Sequence, residues 1–201
     1  MLGIGVPAIR RIARSIGQNH PMALRLWSSG VYEARLLACM VDDGSATTRS
    51  QLEAWALDFD SWALCDGCCQ DLIPRTPWAW ELAFEWSHRP EEFVKRAGFA
   101  VLAKLAVHDR SAPDARFRRF LRVIERQSDD GRGYVRKGVN WALRAIGHRN
   151  VELHRAAVAT AEQLARSPLP SARWIGRDAL RELRSPTVLR RMRAVSVPRG
   201  G

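Results

Sequence analysis

Long apolar runs are missing from this chain. No stretch approaches the roughly 18 apolar residues of a membrane span, and the N-terminus has no charged start followed by an apolar signal core. Both absences argue against a membrane protein and place the expected site of action in the cytoplasm. Alternating apolar and polar residues are also absent over any length that would argue for a strand. Ligand spacing for a metal is missing as well. Of four cysteines, three crowd into Cys65, Cys68 and Cys69, and Cys65-Asp-Gly-Cys68 has the form of a redox or metal pair. No second pair stands at ligand distance, and neither His88 nor His108 lies in a pattern that completes a zinc tetrahedron. Reduced, partly buried helix thiols are the expectation.

What is present is a folded, strongly basic chain. Its 201 residues are 46% hydrophobic and include eight tryptophans, enough for the core of one large domain. The formal net charge of +11 comes mostly from arginine, whose planar fork suits phosphate. A polyanion is therefore the first expected partner, nucleic acid ahead of a membrane surface.

Proline and glycine cut the chain into short helices almost without remainder. Pro7 and Gly17 bracket Val6 to Ile16, and Pro21 opens a helix through Trp27. Tyr32 to Val41 has an apolar face of Leu36, Leu37 and Met40. Thr48-x-x-Gln51 has the form of a capping box ahead of a helix to Leu57, and Asp60 or Ser61 caps the next. Pro77 and Pro90 each start a helix. Ser111 to Gln127, Arg132 to Ile146, Asn150 to Ala165, Leu169 to Leu183 and Pro186 to Ala194 complete the series.

Self-similarity suggests how these helices are arranged. Residues 92–102 lie over 133–143 at a spacing of 41, pairing Val94 with Val135 and Arg96 with Lys137, and Ala142-Leu143-Arg144 recurs as Ala179-Leu180-Arg181. Periods near 40 with two helices each are typical of HEAT-like repeats. The expected fold is an all-α solenoid of about twelve helices with a concave face carrying a column of cations. One domain is expected over 1–194, with 195–201 a disordered tail.

Four positions stand out for chemistry. Trp62 and Asp66 lie four residues apart and share one helix face, so a π-face sits beside a carboxylate. That pair suits a planar cation such as an alkylated purine base. The plainer alternative makes Trp62 a core anchor and Asp66 a capping or exposed acid. Trp141 follows Lys137 by four residues and precedes Arg144 by three, a neighbourhood typical of a nucleic-acid groove. Arg96 is the fourth.

Here the sequence resembles the AlkD-like DNA alkylation repair glycosylases, HEAT-like repeat proteins that remove cationic N3- and N7-alkylpurines. The resemblance rests on Trp62-x-x-x-Asp66, on Lys95-Arg96-Ala97 and on Val135-Arg136-Lys137-x-x-x-Trp141-Ala142-Leu143-Arg144, and extends more loosely from Gly5 to Leu183. It implies a monofunctional, monomeric glycosylase acting on double-stranded DNA with alkylated bases, without metal or organic cofactor. By the same resemblance Asp66 is the catalytic acid, Trp62 and Trp141 flank the lesion and its deoxyribose, and Arg96 and Arg144 hold the DNA backbone. Lys137 and Arg136 join them as expected DNA-binding residues. The resemblance further implies that an N-terminal helix pair usual in the family precedes Gly5 there and is missing here. The rival reading is a non-catalytic repeat module that grips nucleic acid or an acidic partner with the same cations.

Overall fold

A computed structural model describes residues 2–196, and among them every regular element is helical. The helices are α1 (Val6–Ile16), α2 (His20–Ser28), α3 (Tyr32–Val41), α4 (Arg49–Leu57), α5 (Trp62–Asp71), α6 (Ala79–Trp86), α7 (Glu92–His108), α8 (Asp114–Gln127), α9 (Gly133–Gly147), α10 (Val151–Ala165), α11 (Pro170–Leu183) and α12 (Pro186–Ser196), with a 3₁₀ turn at Ile73–Arg75. The tail expected at 195–201 yields its first two residues to α12, and 197–201 lie outside the described residues.

Local chemistry accounts for most boundaries. Gly17 ends α1 with φ +73°, a conformation open to glycine at no steric cost. Thr48 caps α4 by accepting from the Gln51 backbone amide at 3.1 Å. The other half of the expected capping box does not form, because the Gln51 side chain instead donates to the buried Asp42 carboxylate at 2.7 Å. A buried carboxylate is costly to leave unpaired, so it draws the amide away from the helix end. Ser61, rather than Asp60, caps α5. Helix α6 starts two residues after Pro77, because Trp78 serves as its N-cap.

The odd-numbered helices form one layer, α1 on α3, α3 on α5, α5 on α7, α7 on α9 and α9 on α11. Even-numbered helices cover the other side of that layer, with α2 on α3, α6 on α7, α8 on α9 and on α10, and α10 on α11. Helices α7 and α9 begin at Glu92 and Gly133, 41 residues apart, which is the repeat spacing read in the sequence. The layers meet closely at glycines. A Cβ on Gly98 would lie 2.4 Å from the Ser87 backbone nitrogen, and one on Gly176 would lie 2.3 Å from that of Ala165. Buried tryptophans fill the interior at the first half of the chain, where Trp27 and Trp55 stack at 4.0 Å.

The cysteines depart from expectation. Cys39 on α3 and Cys68 on α5 are joined in a disulfide, so the expectation of fully reduced thiols is corrected. The partner, Cys39, lies far from the cluster in sequence and meets it only where α3 and α5 pack. Cys65 and Cys69 remain free and buried.

Candidate nucleic-acid interface

Helix α5 carries the centre of the site. Trp62 is the one tryptophan of eight that is exposed, at 52%. A ring left this open to solvent gains far less from burial than a core tryptophan, so the core-anchor alternative for Trp62 does not hold. One turn further along, Asp66 is partly buried, and its carboxylate takes a two-pronged contact from Arg96 on α7, with Nε to Oδ1 at 2.9 Å and Nη2 to Oδ2 at 2.7 Å. The remaining Arg96 nitrogen, Nη1, donates to the Tyr134 carbonyl of α9 at 2.8 Å. One buried guanidinium thus ties three consecutive odd helices together. Burial works against the Arg96 charge, but the hydrogen bonds and charge of Asp66 outweigh it and raise the Arg96 pKa above its ordinary value.

The free cysteines flank this ion pair. Cys65 Sγ donates to the Phe93 carbonyl at 3.4 Å and Cys69 Sγ to the Ala97 carbonyl at 3.6 Å, both from α5 to α7. Burial, aided by hydrogen bonding to Cys65, pushes the Cys69 thiol well above its ordinary pKa. It is therefore a neutral donor that helps fix the register of α5 on α7, not a nucleophile.

A second rung lies one turn further along. Gln70 on α5 accepts from Lys104 Nζ of α7 at 2.9 Å, and that ammonium stands 5.5 Å from the centre of the Trp141 ring on α9. Trp141 is half-buried and packs against the core with its other parts. Asp66–Arg96–Tyr134 and Gln70–Lys104–Trp141 run in the same order across α5, α7 and α9, which makes these helices parallel. The sequence reading missed Lys104 and Gln70. Their spacing of 34 residues carries no local signal, and only the stacking of α5 on α7 pairs them.

The expected cation column is largely spoken for. Arg96, paired in the sequence with Lys137, is the buried partner of Asp66 and not an exposed phosphate contact, because its fork is fully used inside the layer. Arg144 pairs with Glu182 of α11, whose other oxygen meets His148 Nε2 at 2.6 Å. Burial opposes the Glu182 charge, but His148 and Arg144 together hold its pKa below the ordinary range. Arg136 lies over the Trp174 ring at 4.3 Å, with its Nε buried and unpartnered. Lys137 alone of the four is exposed, with no acidic partner among the described residues.

The result is a layered helical repeat with an exposed ring and an oriented carboxylate on α5 and an exposed cation on α9, an arrangement suited to nucleic acid. The chain belongs to the DNA alkylation repair enzyme family, whose model matches residues 1–183. Among solved structures it is similar to one of a new family of proteins related to the HEAT-like repeat DNA glycosylases with affinity for branched DNA structures. That likeness has a TM-score of 0.74 at 20% identity, covering 90% of this chain and 82% of that one, and shows the fold. A designed armadillo repeat protein is also similar, at 17% identity over 88% of this chain and 92% of its own, with a TM-score of 0.38. No curated protein matches the chain significantly in sequence.

Proposed function

We propose that the protein excises cationic N3- or N7-alkylated purines from double-stranded DNA by hydrolysing the N-glycosidic bond. The observation that carries this reading is the exposed Trp62 ring one helical turn from an Asp66 carboxylate whose orientation is fixed by Arg96. An alkylated purine already carries the positive charge of a good leaving group. The demand on the protein is then to stabilise the oxocarbenium-like sugar and to orient water. Asp66 supplies the negative charge. Arg96 engages each Asp66 oxygen once while the Asp66 side chain stays partly exposed, so the carboxylate is positioned before the substrate arrives.

Trp62 offers its π-face to the cationic base, an attraction of about 0.5–2 kcal/mol for a well-placed ring. Trp141, already faced by Lys104, supports the sugar and strand by stacking, and Lys137 takes a phosphate. Arg144 and Arg136 act one step back, by holding α9 against α11 through Glu182 and Trp174.

The test is release of 7-methylguanine or 3-methyladenine from methylated duplex DNA by the purified protein and by Asp66→Asn. Loss of one aimed electrostatic group is expected to slow excision about 10²- to 10³-fold. Because Asp66 also neutralises the buried Arg96, the variant is compared below its own melting temperature, with duplex affinity measured alongside. Excision at the wild-type rate by Asp66→Asn, or none by the wild type, sinks the reading.

A second reading has its own support. Both Asp66 oxygens are engaged by Arg96, so the acid has a structural use even without chemistry, and the similar solved structure is of proteins related to glycosylases with affinity for branched DNA. In that reading the same surface binds DNA without cleaving a bond. Wild-type binding without base release separates the two.

A further inference from the structure

The opposite layer holds a second concentration of charge that the lesion site does not use. Helix α8 carries Arg116, Arg118, Arg119, Arg122 and Arg126, all exposed. Elsewhere arginines find carboxylates, as in Arg10 with Asp71, Arg35 with Asp58, Arg49 with Glu81 and Glu85, and Arg132 with Asp130. None of the five on α8 forms an ion pair with an acid among the described residues.

Four of them, Arg116, Arg119, Arg122 and Arg126, line the flank of α8 that faces α6. They edge two clefts of about 260 and 160 Å³ that share Phe84 and Arg119 and so form one trough. Its floor is aromatic and apolar, with Trp80, Phe84, Phe120 and Val123, while its α6 edge carries His88 and two carboxylates, Glu81 and Glu85, both paired with Arg49. The Arg116 guanidinium stands 5.1 Å from the Trp80 ring centre and that of Arg119 4.5 Å from Phe84, which holds both forks up along the rim.

We propose that the α6/α8 trough is a second nucleic-acid site, taking a single strand of DNA on the layer opposite Asp66. From Arg116 to Arg126 the helix rises about 15 Å, the axial length of four to five nucleotides of a strand at about 3.4 Å each. Four unpaired forks along that length match a row of phosphates, and arginine is the side chain suited to grip them two oxygens at a time. Rings beneath a cationic rail are the combination that binds single strands without sequence preference. An acidic peptide would meet the same charge, but the chain's family works on DNA, so a strand is the anion at hand. The site is independent of Asp66 chemistry. It gives the protein two DNA-binding faces, which would let one molecule engage a duplex and a free strand together.

The experiment titrates fluorescein-labelled dT20 over a range of salt with the full chain. Three forms are compared: wild type, a variant with Arg116, Arg119, Arg122 and Arg126 changed to Gln, and a charge-matched control with the exposed Arg11, Arg25, Arg118 and Arg166 changed to Gln. Releasing about 0.7 counterion per single-strand phosphate contact, the trough variant is expected to lose about 3 from the slope of log K against log salt, and the control less than 1. Far-UV circular dichroism of each variant verifies that the exposed changes leave the fold intact. Equal slopes in the trough variant and the control overturn the proposal. So does a wild-type trough that binds poly-glutamate in an arginine-dependent way while the dT20 slope stays unchanged, since that marks a protein-docking surface.

Discussion

Arg96 and Asp66 form a two-pronged ion pair across α7 and α5, and the same guanidinium reaches the Tyr134 carbonyl of α9. A residue expected to touch phosphate is instead the brace of the Asp66 carboxylate. Arg96→Gln should therefore lower excision by misplacing Asp66 and lower stability by up to about 3 kcal/mol, because a largely buried pair loses one member. Arg96→Lys should recover much of the stability but little of the rate, since an ammonium cannot hold both oxygens in one plane. Urea midpoints and single-turnover excision of the two variants separate these effects. Equal rate recovery with Lys would show that charge alone, and not the fork, matters.

The two rings should respond differently to truncation. Trp62→Ala removes an exposed side chain, so the melting temperature should move little, within the roughly 0.5 kcal/mol usual for surface changes, while excision of cationic adducts falls. Trp141→Ala removes a half-buried ring that packs on the core and should cost measurable stability as well as rate. Thermal melts paired with base release test this, and a large loss of stability in Trp62→Ala would contradict its placement.

Duplex binding should depend steeply on salt, and Lys137→Gln should reduce the slope of log K against log salt by about 1, as expected for one lost phosphate contact. Changing Arg144, which is paired with Glu182, should alter the slope less and the stability more. Fluorescence anisotropy from 50 to 300 mM salt, on the order of the range where the effect is large, measures both.

Acid stability should carry the signature of Asp130. Hydrogen bonds from Arg132, against the opposing effect of burial and with help from Lys95 at 3.0 Å, hold its pKa below the ordinary carboxylate range. A carboxylate whose folded pKa is depressed contributes stability above its unfolded value, near about 3.9, and loses that contribution as pH falls toward the folded value. The melting-temperature gap between wild type and Asp130→Asn should hold from neutral pH to about 5 and shrink below about 4. A gap that widens in acid would reverse the sign and reject the assignment.

Close packing of the two layers predicts a cost at Gly98. A methyl group there meets the α6 end at 2.4 Å from Ser87 N and 2.8 Å from the Trp86 carbonyl carbon, neither of which can swing aside. Gly98→Ala should destabilise the protein by about 1–3 kcal/mol, read from the shift in denaturation midpoint.

Helix boundaries and the repeat were legible in the sequence because they are set locally. Thr48 and Ser61 cap through their own neighbours, Gly17 turns the chain by its own freedom, and the spacing of 41 between α7 and α9 is a property of chain length. The common face of Trp62 and Asp66 was legible for the same reason, since one helical turn fixes it. Which cation stands in the open was not. Arg96 and Lys137 occupy matching repeat positions and read alike, yet one is buried on Asp66 and the other exposed. Lys104 over Trp141, Arg144 on Glu182 and the Cys39–Cys68 link likewise join residues 29 to 38 apart, each on a different helix. Such pairings depend on how one helix is rotated and shifted against the next. That is decided by the jigsaw of buried side chains between layers, a many-body outcome that no single stretch of the sequence encodes.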